Sequence, residues 1–353
     1  MEKQKIVISE DLRTTIEQAV AACPHDKLFL LTDETTHRLC QPLIEDFSCL
    51  KEAVPIIIKA TDTHKTLETL ASVWKALSDG KGSRHSLMIN LGGGMVTDLG
   101  GFAASTFKRG IHYINIPTTL LAMVDASVGG KTGINFNGFK NEIGVFNIAD
   151  SVLIDTEFLK TLDDRNIRSG YGEMLKHGLI SNEKHWAELI NFDLDDVDYK
   201  HLQAMVAESI KVKEHVVEED PFEHGIRKAL NFGHTVGHAF ESLSLRENRP
   251  ILHGYAVAYG MVCELYLSKL RLDFPTDKLQ QTIRFIKENF GVFTFDCKEY
   301  DLLYDIMTHD KKNTNGIVNF TLLKNIGDIH INQTATKEEI FGLLDFYREC
   351  MGC

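Results

Sequence analysis

Arg227, Asn231, His234 and His238 carry side chains able to hold a metal, move a proton or grip an anion, and they recur at helical intervals. On a wheel turning about 100° per residue they share one stripe, with Phe232, Val236, Ala239, Phe240 and Leu243 opposite, so the spacing predicts an amphipathic helix over 227–243. Two histidines at i and i+4 either ligate a metal together or pair a ligand with a proton-transfer base. Arg beside Asn suits a carboxylate or a phosphate, and the whole stripe also fits a hydrogen-bonded polar face. Glu173, Lys176 and His177 share another helical face, and His253-Gly254 opens a third helix after Pro250. One carboxylate and two histidines drawn from three helices would leave a coordination position open for substrate.

A second group of candidates lies nearer the N-terminus. The apolar run 87–91 leads into Gly92-Gly93-Gly94 and then Met95, Val96, Thr97 and Asp98, with two more glycines at 100 and 101. Glycines just past a strand let main-chain N–H groups and a helix N-terminus approach a phosphate. The dinucleotide fingerprint is nevertheless incomplete, because Thr97 stands where its third glycine belongs. Gly129-Gly130-Lys131-Thr132 likewise mimics the end of a P-loop, but Asp125 occupies the position of the required first glycine. Asp33, at the end of an apolar run, is placed either to meet a ribose hydroxyl or to cap a helix.

The elements that must position these residues follow from periodicity. Short β-rich runs at 28–31, 56–58, 87–89 and 113–116 alternate with helical patterns, which predicts a parallel, Rossmann-like sheet with helices on its faces. Long amphipathic patterns over 201–217, 227–243 and 254–270 then predict an all-α second half. The expected division is an α/β domain over 1–160 and a helical domain over 161–353, with the active site in the cleft between them; the clearest loop, 78–83, joins a helix to the 87–91 strand.

Bulk composition narrows the partners. The 353 residues are 43% hydrophobic and 25% charged, with a formal net charge of -12, so nucleic acid is not an expected partner and an anionic substrate must meet a local cluster of cations. No apolar run approaches the roughly 18 residues that span a bilayer, and the start resembles no export signal, so a reducing, cytoplasmic location is expected. The seven cysteines are odd in number and scattered, which predicts free thiols; the terminal Cys350 and Cys353 have no second Cys or His pair near them in sequence to complete a zinc site.

These motifs together resemble the 3-dehydroquinate synthases. The resemblance rests on Gly92-Gly-Gly-Met-Val-Thr-Asp-Leu-Gly-Gly-Phe102, Arg109-Gly110, Pro117-Thr-Thr-Leu-Leu121, Val124-Asp-Ala-Ser-Val-Gly-Gly-Lys-Thr132, Lys140-Asn141, Asn231-Phe-Gly-His-Thr-Val-Gly-His238, His253-Gly254 and Asp310-Lys-Lys312, in order along nearly the whole chain. It implies Glu173, His234 and His253 as ligands of a divalent metal, zinc or cobalt. It implies NAD contacts at Asp33, Asp62, Lys65, Gly94, Met95, Val96, Thr97, Asp98, Thr118, Thr119, Lys131, Lys140, Phe158, Leu159, Lys160 and Thr161. Substrate would meet Asp125, Lys131, Asn141, Lys176, Lys213, Arg227, Asn231, His238 and one of Lys311 and Lys312, with Arg109 reaching over from the other subunit of a homodimer.

The expected substrate is a seven-carbon sugar acid phosphate of the shikimate pathway, closed to a carbocycle by oxidation, phosphate elimination, reduction, ring opening and aldol closure. Sibling cyclases that form valiolone-type or inosose-type rings, and metal-dependent polyol dehydrogenases of similar fold, are the alternatives. Lys140-Asn141 with Arg227 and Asn231 favours a substrate bearing an acid group. Tyr255, where many relatives carry Glu, together with Tyr171-Gly172 and Ala149, departs from the family pattern without touching an expected ligand.

Overall fold

The computed structural model describes residues 4–309 and 317–353. By contact the chain divides into two compact units, 1–163 with 199–210 and 164–198 with 211–353. In the first unit β1 (Ile6–Ile8), α1 (Leu12–Ala22), β2 (Leu28–Asp33), α2 (Glu34–Leu39), β3 (Val54–Ile58), α3 (Leu67–Asp79), β4 (Leu87–Gly92), α4 (Gly94–Thr106) and β5 (His112–Pro117) alternate. A hairpin of β6 (Lys131–Phe136) and β7 (Phe139–Phe146) follows, and β8 (Ser151–Ile154) completes the main sheet.

That sheet has the order β1-β8-β5-β4-β2-β3, and all its pairings are parallel. The inner strands β2 and β4 are buried along their whole length, as expected when helices cover both faces, and Pro55 sits on the edge strand β3, where a missing N–H is tolerated. From β2 the chain moves outward to β3, whereas from β4 it moves the other way to β5. The carboxyl ends of β2 and β4 therefore flank a topological switch point, the place where open α/β sheets bind ligands. Helix α4 lies close on the sheet: a Cβ at Gly100 would stand 2.3 Å from Asn90 Oδ1.

The second unit comprises α5 (Asp164–Ser181), α6 (Glu183–Ile190), the C-terminal part of α7 (Tyr199–Glu219), α8 (His234–Arg246), α9 (His253–Leu272), α10 (Thr276–Phe290), α11 (Tyr300–Thr308) and α12 (Lys337–Met351). Helix α9 is its axis, buried on nearly every face, and beside it Phe240, Phe293, Phe295 and Tyr347 form a ring cluster. Two expectations are corrected here. The unit is not wholly helical, since β9 (Asn319–Asn325) and β10 (Asp328–Thr334) form an antiparallel hairpin. The helix expected over 227–243 is also interrupted: Ile226–Asn231 is a short 3-10 helix, Gly233 turns left-handed at φ 79°, and α8 starts afresh at His234. Arg227 and Asn231 thus do not continue the stripe of His234 and His238.

Among the described residues no helix is long and apolar enough to cross a membrane. All seven cysteines are free thiols, and burial pushes that of Cys350 up to about 11.

Candidate metal centre and cofactor cradle

The second unit brings Glu173, His234 and His253 together from α5, α8 and α9. Glu173 Oε1 is fully buried and lies 3.3 Å from His234 Nε2 and 3.4 Å from His253 Nε2. Among the described residues no hydrogen bond of good geometry satisfies this oxygen, and carboxylate and imidazoles converge as donors around a shared cation do. The other ring nitrogens are tied back: His234 Nδ1 lies 3.0 Å from the Phe232 carbonyl and His253 Nδ1 3.2 Å from Glu241 Oε2. Both Nε2 atoms are thereby turned inward, the orientation that metal-ligating imidazoles adopt.

The electrostatics favour positive charge at this point. Burial would raise the Glu173 pKa, but the Lys176 ammonium and His234 hold its carboxyl well below the usual range. Burial would likewise discourage a charged His253, yet its contacts with Glu173 and Glu241 lift its pKa to about 10. An imidazole set between two carboxylates also suits a divalent cation, whose binding would displace any ring proton facing it.

Backbone proximity sets the donor spacing. A Cβ on Gly172 would fall 2.3 Å from the Gly254 carbonyl oxygen, and one on Gly254 would fall 1.6 Å from that of Ser169. These two glycines let α5 and α9 meet at main-chain distance, immediately beside Glu173 and His253. Replacing Gly254 with Ala is expected to prise the helices apart and lower stability by about 1–3 kcal/mol, the usual range for overpacking, and to weaken metal binding with it. Urea unfolding and a zinc titration check this; a variant matching the wild type in both would mean that the crossing does not set the site.

His238 follows on α8, one turn after His234. Its ring centroid is 5.2 Å from that of His234 and 5.8 Å from that of His253, and the donor atoms of the three imidazoles lie within 4.8 Å of one another. Two ligand sets therefore share His234 and His253 and differ in using Glu173 or His238. Geometry alone leaves both open.

The residues of this unit expected to meet an anion include three buried cations. Lys176 is ion-paired with Glu173, Lys213 is buried on α7, and Arg227 is 2% exposed with Nη1 donating 2.5 Å to the Pro221 carbonyl. Asn231 Nδ2 donates 3.0 Å to Glu223 Oε1. Burying cations costs free energy that an anionic ligand offsets. Lys311 and Lys312 fall outside the described residues.

In the first unit the cradle forms at the switch point. Gly93 caps α4 without any side-chain bond, so the N-terminus that carries Gly94, Met95, Val96, Thr97 and Asp98 presents main-chain N–H groups. Thr118 and Thr119 follow β5 directly, with Thr118 N bonded to the Gly92 carbonyl. Asp33 is a helix cap: its Oδ1 accepts from the N–H groups of Thr35 and Thr36. Phe158, Leu159, Lys160 and Thr161 lie on the 3-10 helix Thr156–Thr161, where Phe158 and Leu159 are buried, Lys160 pairs with Glu157, and Thr161 Oγ1 comes 3.5 Å from Cys40 Sγ at the end of α2.

Lys65, Asp98 and Asn141, far apart in sequence, form one cluster: the buried Lys65 Nζ donates to Asp98 Oδ2 and to Asn141 Oδ1, each at 2.5 Å. Lys140 Nζ stands 3.9 Å from Asp62 Oδ2. Asp125 lies in the turn Ala122–Ala126, Lys131 begins β6, and Arg109 is exposed on a left-handed turn at φ 72°.

Sequence reasoning missed two carboxylates. Glu241 stands seven residues after His234 and three after His238, on the same face of α8; it lay inside the 227–243 wheel, just beyond the edge of the polar stripe. Glu264, on α9, is wholly buried; its Oε2 accepts from Gly233 N at 2.7 Å and its Oε1 from Thr235 N and Val236 N at 3.0 and 3.3 Å. No local pattern signals that role.

Comparison with known proteins adds three findings. Residues 55–169 match the family model "3-dehydroquinate synthase N-terminal", and residues 170–313 match "3-dehydroquinate synthase C-terminal". A 3-dehydroquinate synthase of Parabacteroides distasonis is 56% identical over the full length of both chains, and one of Clostridium acetobutylicum is 36% identical over 89% of this chain and 88% of its own. Among solved structures, a 2-epi-5-epi-valiolone synthase from Streptomyces hygroscopicus, with NAD+ and Zn2+ bound, superposes with a TM-score of 0.85 at 26% identity over 99% of this chain and 98% of its own. A 2-deoxy-scyllo-inosose synthase shares the fold, with a TM-score of 0.83 at 23% identity over 98% of this chain and 96% of its own.

Proposed function

The chain belongs to the 3-dehydroquinate synthase family, and from that membership we propose that it converts 3-deoxy-D-arabino-heptulosonate 7-phosphate to 3-dehydroquinate and phosphate. The observation that carries the reading at the level of chemistry is the convergence of Glu173 Oε1 with the Nε2 atoms of His234 and His253. When bound, a divalent metal would lower the pKa of the substrate C5 hydroxyl and NAD would take up and return a hydride.

The chain's own residues do the rest. Glu173, His234 and His253 hold the metal, and His238 accepts and returns the proton of the C5 oxygen. Arg227, Lys213, Asn231 and Lys176 grip the carboxylate and phosphate, where a planar guanidinium offers a two-pronged contact that an ammonium does not. The uncapped start of α4 and the glycines before it receive the pyrophosphate of NAD, and Asp33, whose Oδ1 serves its helix cap, meets a ribose hydroxyl through the other oxygen. Asp62, Lys65, Lys131, Lys140 and the 158–161 segment line the same cofactor, while Asp125 and Asn141 meet the substrate. Arg109, exposed on its turn, serves the phosphate of the second copy in a homodimer.

A dehydrogenase of similar fold would release reduced cofactor, whereas a cyclase hands the hydride back in each turnover. With substrate in large excess over NAD, phosphate release is expected to match ring product one for one, with no rise in NADH absorbance. Steady accumulation of NADH would refute the proposal. Turnover of heptose or glucose phosphates lacking the acid group, in place of the heptulosonate, would favour a sibling cyclase.

A further inference from the structure

His253 and His234 both face Glu173 Oε1 through Nε2, but they differ in what holds Nδ1. His234 Nδ1 meets a neutral main-chain carbonyl, whereas His253 Nδ1 meets the carboxylate of Glu241 at 3.2 Å. Glu241 belongs to α8 and His253 to α9, so the contact crosses between helices. These helices are locked at main-chain distance, because a Cβ on Gly237 would fall 2.7 Å from the Ala256 carbonyl oxygen and one on Gly260 2.0 Å from that of Gly233. The Glu241 side chain is 13% exposed, which leaves little water to screen its contact with the imidazole.

We propose that Glu241 is the positioning residue of the metal centre. It accepts the Nδ1–H of His253, which fixes the tautomer, stops rotation of the ring and keeps the Nε2 lone pair aimed at the point that Glu173 Oε1 faces. A carboxylate partner also makes that lone pair more basic than a carbonyl partner does, so His253 is the stronger imidazole donor of the two. The inference rests on the ligand set Glu173, His234 and His253 proposed above.

Zinc affinity of the full-length protein, stripped with a chelator and titrated against a chromophoric competitor, tests it without reference to activity. Glu241→Ala is expected to raise the zinc dissociation constant by about 10–100-fold. Glu241→Gln keeps an acceptor of the same size and is expected to lie between Ala and wild type, a rescue that a merely structural role would not show. In a His253→Ala background, removing Glu241 should have no further effect, because the ring it orients is gone. Wild-type affinity in Glu241→Ala, a Gln variant weaker than Ala, or an undiminished effect in the His253→Ala background would each overturn the assignment. Wild-type affinity in His253→Ala alone would instead refute the ligand set itself, which distinguishes the two failures.

Discussion

Replacing His234 with Ala is expected to yield a protein that binds no stoichiometric metal and has no activity, whereas His238→Ala is expected to keep its metal and lose about 10²–10⁴ in turnover, the usual contribution of a positioned acid or base. The two residues sit one turn apart on α8 and their rings nearly touch, so the distinction is not one of proximity. It follows from taking Glu173, and not His238, as the third ligand, as proposed above. That carboxylate is fully buried, and its Oε1 faces His234 and His253 at 3.3 and 3.4 Å with no hydrogen bond among the described residues to satisfy it. Lys176 already pairs with the other oxygen of this buried anion, and a divalent ion shared with two imidazoles would satisfy Oε1. His238 is then left to exchange protons with whatever oxygen occupies the open position. Metal analysis of both purified variants, alongside turnover, decides the matter; equal loss of metal would place His238 in the ligand set in place of Glu173 or beside it.

Glu264→Gln is expected to destabilise the protein by about 1–3 kcal/mol, the range for a buried donor left without its partner. The carboxylate accepts three main-chain N–H groups at the start of α8, where Gly233 offers no side-chain cap. An amide has a single acceptor oxygen and turns an NH2 group against donors, so at least one buried N–H loses its partner and the negative charge at the positive end of the helix is gone. Because His234 is the first residue of that helix, the same change should loosen the metal centre. Urea unfolding of wild type and variant measures the first effect and zinc titration the second. Unchanged stability in the Gln variant would show that backbone packing alone sets the turn.

The contrast between Glu264 and the histidines explains what was legible in the sequence. His234 and His238 signal themselves, because spacing of i and i+4 survives wherever a helix forms. The interruption before them does not: the turn at Gly233 is held by Glu264, some thirty residues downstream, through the tertiary fold, so the apolar pattern over 227–243 reads as one helix. Apolar runs announced β2, β3, β4 and β5, whereas β1 has only three residues and β8 four, too short for periodicity to speak. The β9–β10 hairpin was hidden because β9 buries Phe320, Thr321, Leu322 and Leu323 in succession, without the alternation of a half-buried strand. Motifs named the residues around Gly94 and Asp98, but the meeting of Lys65, Asp98 and Asn141 depends on the β6–β7 hairpin and on no local pattern.

The crossings of α5, α8 and α9 have a bearing on how the protein tolerates change. Where helices rest on each other through side chains, every swap of a core residue shifts their axes by some fraction of an ångström. Here Gly172 against Gly254, and Gly260 against Gly233, put carbonyl oxygens and α-carbons in direct register. The three helices behave as a welded tripod whose feet carry Glu173, His234 and His253. Apolar substitutions away from these crossings, and from carboxylates such as Glu241 and Glu264, are then expected to repack without moving the donors, so the helical unit can change much of its core while the tripod keeps its spacing.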